Sequence, residues 1–455
     1  MRATSRIESW ACLTAVVRAY DDARPPSTDD RPQNSAVTTK RPVPILRDPL
    51  FARLWFIQAS TQIGGNMALY ALTILVFSTT RSNAAVSALV MSFLVPTILL
   101  SAVAGVLVDR LDIRMAMIVP NAVRTLLTLG LALAGTNVAL LLVLNLGVSL
   151  TTVVLTPAEA SMIPRIVPKA QLETAMGVFN ITLQASFAVG FAFLGPLLVA
   201  LAGPSFVLAV VTVFYAAATV TTLLLPSAPP LAVEPGIASR ALHEPAQQLR
   251  EGFEAIGGNR EVGRPLVHLA AAASLVGVIG VLGPNLAESL GLDPRNLIVV
   301  VFPLGLGVVA GVFGLRRFGE GLSRRRAGEA GLIVFGLLAI AIALSAAFSA
   351  AAGISVIPLV VVFAFFAGAA YAATIVSAQT ALFENMPATV RGRVFGVLAS
   401  IVSAASLFPI LVAGPLADAT SGPAVIAFTA VMVIGVAVWS ATLFGPRRSP
   451  SVSSP

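Results

Sequence analysis

The chain has 455 residues, of which 57% are hydrophobic and only 11% charged, with a mean hydropathy of +0.90. A soluble domain carries about 25% charged residues, so these figures exclude a large soluble protein and point to a polytopic membrane protein. The net charge of +8 would suggest nucleic acid in a soluble protein, but here the arginines lie in short connections between apolar runs, and no nucleic-acid partner is expected.

Residues 1–48 form a polar, charge-mixed tail containing Pro25, Pro26, Pro32, Pro42 and Pro44. The apolar run 11–17 is too short for a cleavable signal and is followed by Asp21 and Asp22. The tail is read as disordered and cytoplasmic; a start nearer Asp48 is the alternative left open. Apolar runs of about 20 residues then follow, the length that crosses hydrocarbon. Their centres fall near Ala68, Val95, Leu126, Leu144, Ala188 and Val213, then near Val276, Leu306, Leu338, Phe363, Ser406 and Met432. The expected organisation is a six-helix bundle over 49–225, a linker over 226–264, a second six-helix bundle over 265–445 and a tail over 446–455.

The connections alternate in charge. One set holds Arg110 and Arg114, Arg165 and Lys169, then Arg240, Arg250, Arg260 and Arg264. It continues with Arg316, Arg317, Arg324, Arg325, Arg326, Arg391, Arg393, Arg447 and Arg448, while the other set holds only Arg81 and Arg295. Positive residues favour the cytoplasmic side, so both termini and the linker are expected there. Within the linker, Leu249, Phe253 and Ile256 fall at helical spacing, which predicts a short amphipathic helix on the membrane surface.

The two halves echo each other. Gly177 and Gly396, Gly195-Pro196 and Gly414-Pro415, and Gly203-Pro204 and Gly422-Pro423 are each 219 residues apart. Proline removes a backbone donor and bends a helix, so Gly195, Pro196, Gly414 and Pro415 are candidate kinks. Repeats of this kind place a substrate site near the midplane between them.

Polar residues inside spanning helices should face the bundle or a water-filled cavity. Gln58, Gln62, Asn66 and Tyr70 recur every fourth residue in the first helix, and Asn180 and Gln184 repeat that spacing in the fifth. Asn145, Asn285, Tyr371 and Gln379 complete the candidate cavity lining. Interhelical hydrogen bonding is the competing reading for each. Arg124 is placed about seven residues into the third helix, roughly 10 Å deep, where it needs a partner; Asp109 and Glu159 are the candidates. A gating or structural ion pair is favoured over substrate binding for it. No Asp or Glu falls at the expected midplane of any helix. The cavity is therefore expected to be polar but uncharged, suited to neutral or weakly cationic amphiphiles. Protons, where used as a coupling partner, are expected to enter through Glu159 and Arg124.

Other chemistries lack their residues. Cys12 is the one cysteine, so no intrachain disulfide forms. His243 and His268 make no usual metal cluster, and no cofactor is expected. Lys40 and Lys169 follow Thr39 and Pro168, so the Gly-Lys-Ser/Thr loop of a nucleotide site is missing. No Ser/His/Asp or metal constellation stands at membrane depth, and an enzyme is not expected.

Gly105, Asp109, Arg110 and Arg114 resemble the G-x-x-x-D-R-x-G-R-R loop between the second and third helices of major facilitator superfamily transporters. Asp112 stands where the family often has Gly, though drug-exporter branches commonly carry Asp there, and Ile113 replaces the first basic residue of the final pair. Gly195-Pro196 resembles the end of the exporter pattern G-x-x-x-G-P, but Phe191 holds the earlier Gly position and Gly190 is one residue off. Pro157, Ala158, Ile163, Pro164, Arg165, Leu172 and Asn180 resemble bacterial drug and siderophore exporters, as does the stretch carrying Gln379, Glu384, Pro387 and 391–396. The first helix departs from the pattern: Gly64-Gly65-Asn66 stands where many exporters carry a Gly-Asp-like pair.

The resemblance spans about 48–443 and includes the macrolide exporters. It implies an all-α membrane protein of 12 transmembrane helices in two pseudo-symmetric six-helix bundles. It implies a cavity lined by the first, fourth, seventh and tenth helices, and gating by Gly105, Asp109, Arg110, Arg114, Arg124, Glu159, Arg391 and Arg393. It further implies export of a small-molecule substrate by a monomer in the lipid bilayer of a bacterial-type inner membrane. Import of a nutrient by the same fold, and a non-transporting sensor or scaffold, stay open.

Overall fold

The first long helix starts where the sequence provides a start. Asp48 accepts hydrogen bonds from the Leu50 and Phe51 amides at 2.8 and 3.2 Å, and Pro49 fills the first turn. An Asp cap satisfies amides that have no partner within the helix. Ser82, Asp112, Asn137 and Ser323 do the same for later helices. The computed structural model describes residues 45–227, 229, 260–318, 323–384 and 391–443. The tail before residue 45, the expected amphipathic linker helix, and the side chains of Asp109, Arg391 and Arg393 lie outside the described residues.

Among the described residues, twelve helices long and apolar enough to cross a bilayer follow one another. They are α1 (Pro49–Thr80), α2 (Asn83–Asp109), α3 (Ile113–Leu133), α4 (Val138–Ile166), α5, α6 (Pro204–Thr222), α7 (Arg260–Ser289), α8 (Ile298–Phe318), α9 (Arg324–Ala352), α10 (Ile357–Glu384), α11 (Arg391–Ala419) and α12 (Gly422–Leu443). Helix α5 comprises an α-helical part, Leu172–Phe187, a π-helical stretch, Ala188–Leu194, and a second α-helical part, Gly195–Ala202. Among the described residues there is no strand. Helix α7 begins at Arg260, earlier than the apolar run marks, because its first turn is charged.

The packing repeats with a shift of six helices. In the first half α1 lies on α5 and α6, α3 lies between α4 and α6, and α2 packs on α4. In the second half α7 lies on α11 and α12, α9 lies between α10 and α12, and α8 packs on α10. The halves meet through α2 against α11 and α5 against α8, which the same shift exchanges. This is the two-bundle, pseudo-symmetric architecture implied by the 219-residue echo.

Large apolar side chains such as Leu126, Val213, Phe313, Phe408 and Phe428 are exposed on the outside of the bundles. In water such a surface would be a liability; against lipid it is the expected exterior. With little hydrophobic drive between helices in lipid, close packing and interhelical hydrogen bonds hold the bundles together.

Candidate functional site

The halves are joined at the end that carries Arg81, the arginine-poor face. Asp418 of α11 accepts from Ser82 Oγ at 2.7 Å, from the Asn83 amide and Asn83 Nδ2 at 2.8 Å, and from the Ala84 amide at 3.0 Å. An anion from one half thus caps the N-terminus of a helix in the other, where the dipole favours it. Beside it Arg81 pairs with Glu288 of α7. Deeper in the same contact, Ser87 Oγ donates to the Ile410 carbonyl at 2.8 Å and accepts from the Gly414 amide at 3.1 Å. The hydroxyl therefore touches both the Gly414 amide and the Ile410 carbonyl, one helical turn apart. Pro415 supplies no amide to the next bond, so helix α11 is loosened where it touches α2. None of Ser82, Asn83, Ser87 or Asp418 was singled out from the sequence, because each makes its contact with the other half of the chain.

Helix α5 widens around Gly190. In the π-helical stretch the Gly195 amide donates to the Gly190 carbonyl, five residues back. The wider turn takes in one extra residue and sets Gly190 directly beneath Gly195 on one face. Both then press on α1. A methyl group at Gly190 would lie 2.6 Å from the Ile63 carbonyl oxygen and 2.8 Å from Asn66 Cβ. One at Gly195 would lie 3.3 Å from Tyr70 Cβ. Phe191, displaced by the wide turn, stacks on Phe187 and meets Tyr70 edge-on.

Inside the first bundle a cavity of about 190 Å³ is lined by Gln62, Asn66, Arg124, Asn145, Thr152 and Tyr215, with Leu69 and Phe93 among its apolar walls. The polar stripe of α1 divides here. Gln62 and Asn66 reach the cavity, Gln58 is buried and donates to the Phe179 carbonyl at 3.1 Å, and Tyr70 is buried without a partner for its hydroxyl. A step of four residues drifts around the helix, so one stripe faces several neighbours. Asn66 Nδ2 donates to the Gln62 carbonyl at 2.9 Å. Asn145 Nδ2 donates to the Leu89 carbonyl at 3.2 Å and Ser92 Oγ at 2.9 Å, tying α4 to α2.

Arg124 is deeper than its place in the sequence suggested. Helix α3 begins right after its cap Asp112, so Arg124 is residue 12 of 21, roughly 17 Å from that end at about 1.5 Å per residue. It donates to Thr152 Oγ1 and lies 4.7 Å over the Tyr215 ring, a cation–π contact. Glu159, buried in α4, faces Thr61 Oγ1 at 3.5 Å, near enough to feel the Arg124 charge. The cavity is thus cationic at one wall, where an uncharged lining was expected. Thr61, Thr152 and Tyr215 were missed, since nothing local distinguishes them from other helix hydroxyls.

The remaining candidates lie apart from this cavity. Asn180 and Gln184 are exposed on α5. Asn285 of α7 is half-buried against Gly422, Tyr371 packs on Phe335, and Gln379 is half-buried in α10. In the loop after α2, Arg110 is exposed and Asp112 accepts from Ser227 Oγ at 2.6 Å, while Arg114, in the first turn of α3, donates to the Leu223 carbonyl. A side chain at Gly105 would meet open space. Buried His268 is 2.8 Å from Ser440 Oγ, linking α7 to α12.

The chain matches the family described as Major Facilitator Superfamily over residues 54–356. Among solved structures it is similar to the nucleoside transporter NupG, with a TM-score of 0.67 at 14% identity over 88% of this chain and 100% of that one. It is similar to a POT family transporter in complex with 5-aminolevulinic acid, with a TM-score of 0.66 at 11% identity over 86% and 95% of the two chains. It is also similar to an auto-inhibited POT family peptide transporter, with a TM-score of 0.65 at 14% identity over 89% and 99%. At these identities the likeness shows the fold. No curated protein matches the chain in sequence.

Proposed function

The chain belongs to the major facilitator superfamily, and from that premise we propose that it is a secondary active transporter exporting a small amphipathic organic molecule by alternating access. The protein moves its solute by exchanging which end of the two-bundle assembly is closed. In this reading the joint at Asp418 and Ser87 belongs to the closure at the arginine-poor end. It must part once in every cycle, and its hydrogen bonds and exposed ion pair are weak enough individually to do so.

The observation that carries the export reading is the register of α5. The sequence misses the exporter pattern G-x-x-x-G-P by one residue, and the π-helical turn takes up that residue. Gly190 and Gly195 therefore press on α1 as the two glycines of the pattern would in an uninterrupted helix. By the arginine asymmetry, the protein sits as a monomer in a bacterial-type plasma membrane with both termini and the linker in the cytoplasm. Residues 49–225 and 265–445 are its two moving bodies. Asp109, Arg110, Arg114, Arg391 and Arg393 serve its cytoplasmic gate, and coupling to protons runs through Glu159 and Arg124.

A second reading, uptake of a solute, is favoured by the likeness to a nucleoside transporter and to peptide transporters. A panel of toxic compounds tested on an overexpressing strain, followed by solute accumulation in inside-out and right-side-out vesicles, separates the two. Tolerance together with accumulation in inside-out vesicles supports export; accumulation in right-side-out vesicles alone overturns it.

A further inference from the structure

Arg124 has more hydrogen-bonding capacity than its surroundings use. A guanidinium carries five N–H donors in a rigid fork. Here one terminal nitrogen bonds to Thr152, the face lies on Tyr215, and Nε has no partner among the described residues although Arg124 is only 4% exposed. No carboxylate among the described residues comes within ion-pair distance of it: Glu159, the acid nearest in its electrostatics, faces Thr61 instead. A cation at the middle of a spanning helix is costly and marks a functional site by default.

The cavity beside it has a charged donor with capacity to spare. The amide nitrogens of Asn66 and Asn145 already donate to the Gln62 and Leu89 carbonyls and to Ser92. Arg124 is therefore the strongest free donor of the lining, and Leu69, Phe93 and Val148 make part of the wall apolar. The volume of about 190 Å³ equals roughly six waters at about 30 Å³ each, enough for a carboxylate and a short apolar body.

We propose that this cavity is the recognition subsite for a carboxylate group on the transported molecule, held by Arg124. The inference rests on the transport reading above and narrows its substrate class to amphipathic organic acids. A carboxylate in the cavity would meet the planar guanidinium fork with charge-assisted bonds. Thr152 is a positioning residue: its hydroxyl, donating to the Val148 carbonyl at 2.9 Å, fixes the guanidinium from behind. Discrimination would come from the charge and the second acceptor, because a primary amide presents one carbonyl oxygen and an N–H donor to a fork that only donates.

The test uses the full-length purified chain and calorimetric titration with benzoate, phenylacetate and hydrocinnamate, each against its primary amide. Wild type is expected to bind at least one acid about tenfold or more tighter than its amide, the size of one charge-assisted bond. Arg124→Gln is expected to abolish that preference, Arg124→Lys to restore part of it, and Thr152→Val to weaken the acid several-fold with the amide unchanged. The wild-type comparison needs no variant, so it holds even if Arg124→Gln does not fold. Equal binding of acid and amide by wild type, or a preference that survives in Arg124→Gln, overturns the inference. Counterflow in liposomes separates it from its premise. Acid-selective binding without flux supports the carboxylate subsite and overturns transport. Flux of neutral amphiphiles that these acids do not inhibit overturns the subsite alone.

Discussion

Asn83, the first residue of α2, and Asp418, near the end of α11, are joined twice. The Asn83 amide and its side-chain nitrogen each donate to Asp418 Oδ1 at 2.8 Å. With Ser82 and Ala84 on the other carboxylate oxygen, one side chain of the second half organises the helix start of the first. If this is the latch that keeps the arginine-poor face closed, Asp418→Asn should weaken it by about 1 kcal/mol, a discounted value for an exposed carboxylate. Spin labels at Thr136→Cys and Ser421→Cys, in a Cys12→Ser background, then report an approximately fivefold larger population at long distance. An unchanged distance distribution removes Asp418 as a latch.

The π-helical turn makes an unusual demand. Deleting Phe191 from α5 should leave a continuous α-helix with Gly190 and Gly195 still facing α1, at the cost of the ring contacts with Phe187 and Tyr70. Gly190→Leu should be worse than this deletion, because its side chain would meet the Ile63 backbone; overpacking costs about 1–3 kcal/mol. Thermal unfolding in detergent and transport in vesicles rank the two. A deletion more harmful than the leucine shows that the extra residue is needed for itself.

Orientation follows from the arginine-rich loops. A cysteine at Ala232 is expected to react with impermeant reagent only in opened cells, and one at Ser421 in intact cells, both in the Cys12→Ser background. Labelling of Ala232 from outside inverts the topology.

Coupling has one acid to test. Glu159 is buried beside Thr61, which lines the cavity, and is close to Arg124. If protons are used through this pair, solute movement in liposomes should respond to an imposed proton gradient in wild type, and Glu159→Gln should lose that response while retaining exchange at equal pH. A mutant that responds equally excludes Glu159 as the carrier.

Much of the fold was legible in the chain because a bilayer imposes a one-dimensional rule. Each crossing needs about 20 apolar residues, and positive charge collects on one side. The repeated Gly-Pro pairs also showed the two halves before any contact was known. The depth of Arg124 was misjudged because a helix start depends on its cap, and the tight turn at Asp112 moved that start. What the tertiary structure alone decided are the partners. Gln62 and Asn66 line a cavity while Gln58 and Tyr70 of the same stripe do not, since a four-residue step turns each toward a different helix. That Gly190 and Gly195 both face α1 could not be read either, because the π-helical turn sets the register and hydrogen-bond register is invisible in residue order. Ser87 and Asp418 carry no local signature at all. Their roles arise from contacts more than 300 residues away in the chain, where only packing brings a hydroxyl into another helix's backbone and a carboxylate onto another helix's start.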